Sequence, residues 1–241
     1  MRVLPLVLFV CLAVVGAGAL VLAPTTSVIG EYSTSLVGRT KNQRLNCLRA
    51  AAALDGKVIP PQGVLSFNQT VGTWTKDRGF VRAPVSYNGH LTLAYGGAVC
   101  QASTTFYNAA LLAGMEVVER HRHRFAPTYV APGRDAAVSF PDLDLLIKNP
   151  YSQPVTVKSL RRGDHIIFQL LSKGIAKPGV IVQPVIHTVA PIREVHVGSG
   201  NEVKPHRGKA GFDVTVYRLW PNGDRELIST DDYPAMDRVQ K

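Results

Sequence analysis

Cys100 stands where the sequence favours a reactive thiol, within the run GGAVCQASTTFYNAALLAG from Gly96 to Gly114. Phe106, Ala109, Ala110 and Ala113 recur at helical spacing after it, so the run predicts a helix that begins close to Cys100. The free N–H groups and the dipole at a helix amino terminus stabilise a thiolate, and they can also hold an oxyanion. We therefore predict that Cys100 is a nucleophile and that the Gln101 amide orients the substrate. The alternative is a small structural cysteine that caps a buried helix.

Two histidines follow in MEVVERHRHRFAPTYVAPG, a run that predicts a strand from Met115 to about Phe125. Alternation along a strand would put His121 and His123 on one face and the intervening arginines on the other. Either imidazole could act as the base for a cysteine nucleophile, and Asp135 or Glu119 could orient it. A solvated basic strand is the alternative.

Cys100 and the two histidines also suggest a metal site, because His-x-His pairs and cysteine are common zinc ligands. No fourth ligand for Cys100, His121 and His123 is evident in the sequence. We expect neither a metal nor another cofactor.

Cys47 lies within TKNQRLNCLRAAAALDG, which predicts a helix capped by Thr40 and followed by Gly56. Its place beside the apolar face of that helix predicts a thiol in the core. A disulfide between Cys47 and Cys100 is the alternative, since two cysteines in an exported chain can form a bridge.

The remaining elements are short. Asn88-Gly89 predicts a hairpin turn, as does Asn222-Gly223, and the stretch from Asp142 to Gly174 alternates as a β-meander. Pro178 to Lys209 is rich in proline and glycine and predicts an extended arm. Together these patterns predict an α+β fold in which two main helices pack on mostly antiparallel sheet.

The amino terminus is apolar from Val3 to Leu22 and carries no charge between Arg2 and Glu31. This pattern predicts a signal peptide or membrane anchor over residues 1–24, and hence an extracytoplasmic protein that is either membrane-anchored or secreted to the cell wall. The net charge of +10 favours anionic partners such as wall polymers or lipid headgroups. The chain has no zinc-finger spacing or RNP-like stretch, so nucleic acid is not an expected partner.

Two stretches carry a resemblance to a known family. GGAVCQASTTFYNAALLAGMEVVERHRHRFAPTYVAPGRDAAV and, upstream, GKVIPPQGVLSFNQTVGTWTKDRGFVRAPV are similar to the VanW domain family, which is named for an accessory gene of vancomycin-resistance clusters. The similarity runs from about Tyr32 to Ser172. The family usually has a third glycine where this chain has Ala98, and a proline where it has Arg122. We therefore predict a VanW-like domain over residues 30–175 and a β-rich extension over 176–241, packed on the domain or continuing it.

The resemblance implies peptidoglycan chemistry, because VanW domains resemble in activity the L,D-transpeptidases that use a cysteine to form cross-links. It implies that Cys100 is the nucleophile and that stem peptides are the substrate. Further substrate contacts are expected from Gly96, Gly97, Ser103, Thr104, Tyr107 and Arg122. Ser-x-x-Lys, Gly-x-Ser-x-Gly and His-Glu-x-x-His are absent from the sequence, which leaves Cys100 as the strongest nucleophile. A cysteine hydrolase of the same substrate and a non-catalytic wall-binding module are the alternatives.

Overall fold

The computed structural model describes residues 25–87, 90–196 and 207–240. Over these ranges the fold is mixed and rich in sheet, with 43% strand and 17% helix. The three helices within them are α1 (Lys41–Leu54), α2 (Phe67–Val71) and α3 (Val99–Leu112). The mixed class is therefore as predicted, with the short helix α2 in addition to the two expected helices. The predicted membrane segment, residues 1–24, lies outside the described residues, and no helix within them has the length and apolar character needed to cross a membrane.

The strands, in chain order, form several small sheets. They are β1 (Thr26–Ser35), β2 (Val58–Ile59), β3 (Val64–Ser66), β4 (Arg82–Tyr87), β5 (His90–Tyr95), β6 (Glu116–Glu119), β7 (Leu146–Lys148), β8 (Val155–Arg162), β9 (His165–Lys173), β10 (Ile181–Ala190), β11 (Glu194–His196), β12 (Gly211–Leu219), β13 (Arg225–Tyr233) and β14 (Arg238–Gln240).

Helix α3 packs on the largest of these sheets. That sheet is antiparallel throughout, in the order β1-β9-β8-β2. Alternate apolar residues of β9 face the helix, and the rings of Phe106 and Phe168 lie 5.6 Å apart at the contact. Gly30 lets β1 approach closely, because a Cβ there would lie 2.5 Å from the Ala109 carbonyl oxygen. The helix that carries Cys100 is thereby fixed against the sheet.

Helix α1 begins as the sequence predicts. Thr40 and Gln43 form a capping box, in which the Thr40 hydroxyl accepts from the Gln43 N–H and the Gln43 side chain accepts from the Thr40 N–H. Cys47 is fully buried in the core, as expected. Cys47 and Cys100 are both free thiols, so the structure contains no bridge between them.

The strand predicted from Met115 to about Phe125 is wrong beyond Glu119. Strand β6 ends there, and only a single bridge between His121 and Ala137 continues the pairing. The chain leaves the sheet because the Arg120 side chain and the His123 backbone N–H both bond to Asp135. The meander is also interrupted, since β7 pairs with β3 and β6 while β8 and β9 form a hairpin in the main sheet.

The C-terminal residues form a three-stranded sheet in the order β10-β12-β13, which includes the predicted hairpin around Asn222-Gly223. The predicted arm supplies β10, which pairs with β12. Arg218 of β12 is almost completely buried and donates to the carbonyl oxygens of Leu111 and Met115 at 3.4 and 2.7 Å. This sheet therefore covers the carboxyl end of α3.

Candidate active site

Cys100 lies in the first turn of α3, directly after a tight turn. Gly96 and Ala98 both have a positive φ, at 78° and 82°, and the Val99 N–H donates to the Gly96 carbonyl at 2.9 Å. The Asn46 side chain of α1 holds this turn by donating to the Gly97 carbonyl at 3.1 Å. The half-buried Cys100 thiol lies 3.4 Å from the Val138 carbonyl oxygen. Half-buried Cys100 thus lies at the positive end of the α3 dipole, beside the Val99 and Gln101 N–H groups that are already bonded within the turn.

His123 joins Cys100 to a buried carboxylate. Its Nδ1 donates to Asp135 Oδ2 at 2.6 Å, and its backbone N–H donates to the same oxygen at 2.7 Å. The imidazole also lies near enough to the Cys100 thiol for each group to shift the pKa of the other. Since Asp135 occupies Nδ1, Nε2 is the ring nitrogen left for the thiol. The order thiol, imidazole, carboxylate is that of a cysteine-dependent catalytic triad.

The surrounding groups favour the charged forms of the Cys100 thiol and the His123 imidazole. Burial would raise the pKa of the Cys100 thiol, but the hydrogen bond and charge of His123 outweigh it and leave that pKa below its usual value. Burial would lower the pKa of His123, but the hydrogen bonds to Asp135 and Cys100 raise it to about 9. At neutral pH these shifts support a thiolate beside an imidazolium.

Asp135 is completely buried and is held by more than His123. Its Oδ1 accepts from Arg120 Nη2 at 3.0 Å and from the Tyr233 hydroxyl at 2.5 Å. Burial opposes the charge, but the hydrogen bond and charge of His123, followed by the charge of Arg120, lower the pKa of Asp135 to about 2. Arg120 also binds Asp231 through two contacts of 2.6 and 2.7 Å. The carboxylate that orients His123 is therefore fixed and ionised.

His121 belongs to a different pair. Its Nε2 contacts Glu119 Oε1 at 2.8 Å, and both side chains are more than one third exposed. That hydrogen bond lowers the pKa of Glu119. The structure thus separates the two predicted histidines, leaving His123 with Asp135 at the thiol and His121 with Glu119 apart from it. Within the described part of the chain, no cluster of three or more histidine, cysteine or acidic residues is arranged to hold a metal ion.

Most of the side chains predicted to contact substrate lie in the protein interior instead. Ser103, Thr104 and Tyr107 are fully buried. The Ser103 hydroxyl donates to the Ala136 carbonyl at 2.7 Å, and the Thr104 hydroxyl accepts from the Ala136 N–H at 3.0 Å. These polar residues attach α3 to the segment that carries Asp135, which explains why a helix rich in serine and threonine is nonetheless buried.

Gly96 and Gly97 are also buried, and neighbouring residues of the protein occupy the space that a side chain would need at either position. A Cβ on Gly96 would lie 2.8 Å from Trp74 Cβ, and one on Gly97 would lie 2.8 Å from the Pro84 carbonyl oxygen. Arg122 contacts Asp232 at 2.8 Å and lies over the Tyr233 ring. The two glycines therefore serve packing within the protein, and Arg122 forms an ion pair with the C-terminal sheet.

Gln101 is 1% exposed, and both ends of its amide are used internally. Its Nε2 donates to the Thr34 hydroxyl and the Ser35 carbonyl, and its Oε1 accepts from Arg39 Nε at 2.7 Å. The amide that we expected to orient a substrate positions Arg39 instead.

The sequence did not predict that four further residues belong to the site region, namely Arg39, Arg120, Tyr129 and Tyr233. The Tyr129 hydroxyl donates to the Cys100 carbonyl at 3.3 Å, and Arg39 lies over the Tyr129 ring at 4.9 Å. Arg120 was visible in the sequence only as one of several arginines in a predicted strand. Arg39 and Tyr233 lie far from Cys100 in the chain, so no local pattern connects them with it.

Comparison with known proteins identifies the family of this chain. The profile of the family described as VanW like protein matches residues 42–171, which is more than half of the chain. The chain belongs to the VanW-like family. The match contains Cys100, His123 and Asp135 of this VanW-like protein.

One curated relative extends the comparison. The uncharacterized protein YoaR of Bacillus subtilis (strain 168) is 36% identical over 151 residues, which cover 63% of this chain and 50% of YoaR. The chain therefore spans about half the length of the curated relative that it matches. No solved structure matches the chain.

Proposed function

We propose that this VanW-like protein is an extracytoplasmic, cysteine-dependent acyltransferase that cross-links peptidoglycan stem peptides as an L,D-transpeptidase. The observation that supports it is the placement of His123, held by the buried Asp135, where its imidazole lowers the pKa of the Cys100 thiol. The family membership supports a role at the cell wall. The predicted export segment and the excess of positive charge agree with work on an anionic wall outside the membrane.

The first half-reaction forms an acyl-enzyme. The Cys100 thiolate attacks the carbonyl carbon between the L-configured centre of the third stem residue and the terminal D-alanine, forming a C–S bond and an oxyanion. The positive end of the α3 dipole stabilises that oxyanion. The C–N bond then breaks, and the His123 imidazolium gives its proton to the departing D-alanine amine. A thioester on Cys100 and a neutral His123 remain.

The second half-reaction transfers the acyl group. The amine of a neighbouring stem peptide attacks the thioester carbon, and neutral His123 takes the proton that this amine loses. Collapse of the intermediate breaks the C–S bond, forms a new amide and restores the thiolate and imidazolium pair. Asp135 keeps the imidazole in one orientation through both steps.

The test is incubation of the full chain with a disaccharide tetrapeptide, followed by mass analysis of the products. We expect cross-linked dimers formed with loss of D-alanine, and we expect Cys100→Ala and His123→Ala to abolish them. His121→Ala is the matched control and should retain most activity, because His121 pairs with Glu119 rather than with the thiol.

Other products would overturn the proposal in distinguishable ways. A tripeptide without dimers would indicate a carboxypeptidase, and cleavage elsewhere in the stem would indicate an endopeptidase. Unchanged substrate together with retained binding to wall material would indicate a non-catalytic module.

A further inference from the structure

A small polar cavity lies next to the turn that carries Cys100. It has a volume of about 260 Å³ and is lined by Ser35, Val37, Gly38, Arg39, Thr128 and Tyr129. Tyr129 connects it to the nucleophile, since its hydroxyl donates to the Cys100 carbonyl. The volume is below the roughly 300–1,000 Å³ of sites for drug-sized ligands, so the cavity fits a small group or the end of a chain.

Arg39 is held in this cavity in a fixed orientation. Its Nε donates to the buried Gln101 amide at 2.7 Å, and its guanidinium lies 4.9 Å from the centre of the Tyr129 ring. A guanidinium bound through Nε keeps its two terminal nitrogens free to form the parallel pair of bonds that a carboxylate accepts. The residues that hold Arg39 thus leave its anion-binding edge available.

A second cation, Lys209, lies close enough to Arg39 for the two charges to interact. Lys209 donates to the Ala126 carbonyl at 3.0 Å, and burial followed by the charge of Arg39 lowers its pKa. Among residues 25–87, 90–196 and 207–240, no carboxylate lies within ion-pair distance of Arg39 or Lys209, whereas Arg44 has one and Arg120 has two. Two neighbouring cations without an anion repel each other, and a bound anion would relieve that repulsion.

From this geometry we propose that Arg39, with Lys209 in support, forms a subsite that binds a carboxylate of the donor peptide beside Cys100. The inference rests on the proposed function for the identity of the peptide, but the subsite itself is defined by the cavity, by Arg39 in its wall and by the nearby charge of Lys209. A carboxylate bound there would hold the chain that bears it across the start of α3. The phosphate of a wall polymer offers related chemistry, and the test separates the two.

The subsite can be tested without turnover, by alkylating Cys100 of the full chain with two reagents of similar size. Iodoacetate carries a carboxylate and iodoacetamide does not, so the ratio of their rate constants reports anion attraction near the thiol. We expect Arg39→Gln to lower this ratio about fivefold, because removing one nearby unit charge has an effect of this order. Arg44→Gln, which removes an arginine that already pairs with Asp164, should leave the ratio unchanged.

Two further variants show whether a lowered ratio comes from the lost charge or from misfolding. Arg39→Lys keeps the charge and should retain a large part of the ratio, while Lys209→Gln should lower it less than Arg39→Gln does. Iodoacetamide rates that match those of the unsubstituted protein show that the thiol itself is intact. A ratio that Arg39→Gln leaves unchanged, with normal iodoacetamide rates, would overturn the subsite.

Ligand competition then identifies the anion. Acetyl-D-alanine should slow the iodoacetate reaction, and its amide should not. Protection by inorganic phosphate alone would contradict a carboxylate subsite. Failure of the proposed function is a separate result, since it would appear as a lowered ratio in Arg39→Gln with no cross-linked product from the tetrapeptide.

Discussion

At the scale of single residues, the surroundings of the two cysteines shift the pKa of their thiols in opposite directions. Cys47 is completely buried, and its burial raises the pKa of the thiol to about 12. Cys100 is partly exposed and contacts His123, so its pKa shifts in the opposite direction. The contrast between the two thiols within one protein gives an internal reference for reactivity.

We therefore expect iodoacetamide to modify Cys100 at neutral pH and to leave Cys47 unmodified in the folded chain. His123→Gln should raise the pKa of Cys100, because it removes the hydrogen bond and charge that stabilise the thiolate. Each unit of that rise lowers the thiolate fraction at neutral pH about tenfold. Peptide mass mapping after timed labelling over a range of pH measures both effects.

The pH dependence of turnover follows from the same pair of groups. Turnover should rise with pH as the Cys100 thiol ionises, and it should fall above about pH 9 as His123 loses the proton needed by the leaving amine. Labelling of Cys100 should not show this fall, because alkylation needs only the thiolate. Equal and slow labelling of both cysteines would contradict a nucleophilic Cys100.

At the scale of elements, the start of α3 depends on a strained residue. Ala98, where related sequences usually have a third glycine, has a left-handed backbone with φ of 82° and ψ of 7°. That conformation costs a residue with a Cβ roughly 1–2 kcal/mol and costs glycine almost nothing. The turn persists because the Asn46 side chain of α1 holds the neighbouring Gly97 carbonyl.

Ala98→Gly should consequently raise the melting temperature by a few degrees, since the relief of strain exceeds the added flexibility of the unfolded chain. Ala52→Gly is the matched control, because Ala52 is an exposed residue inside α1. It should lower stability by about 1 kcal/mol. Thermal unfolding followed by circular dichroism compares the two, and a lower melting temperature for Ala98→Gly would show that the turn is not strained.

At the scale of the whole molecule, the C-terminal sheet completes the site. Tyr233 and Asp231 of β13 bind the Asp135 and Arg120 pair, and Arg218 of β12 covers the end of α3. The segment beyond the family match therefore helps to fix the buried carboxylate that binds His123.

Tyr233→Phe tests this connection by removing one hydroxyl. The loss of its hydrogen bond to Asp135 should weaken the hold on His123, raise the pKa of Cys100 and slow its alkylation at neutral pH severalfold. Tyr151→Phe loses a comparable hydrogen bond, to the Ala113 carbonyl, and should not change the rate. If Tyr233 only stabilises the fold, both variants should be less stable and the pH dependence of Cys100 alkylation should stay unchanged.

The sequence by itself determined the local features of this protein. The capping box of α1, the helix after Cys100 and the hairpin at Asn222-Gly223 depend on neighbouring residues, and the strands and helices follow these signals. The turn predicted at Asn88-Gly89 lies outside the described residues, between the paired strands β4 and β5. The VanW motifs also identified the family correctly. The sequence also indicated Asp135 as one of two carboxylates that could orient a histidine, because Asp135 follows the histidines closely.

Only the tertiary structure decided which of these residues work together. Alternation along a regular strand puts His121 and His123 on one face, but the strand ends at Glu119 because bonds to buried Asp135 are stronger than further pairing at a sheet edge. The burial of Ser103, Thr104 and Tyr107, and the use of Gln101 to hold Arg39, depend on segments that lie far away in the chain. Such contacts have no local signal, since the free energy that fixes them comes from packing between distant elements.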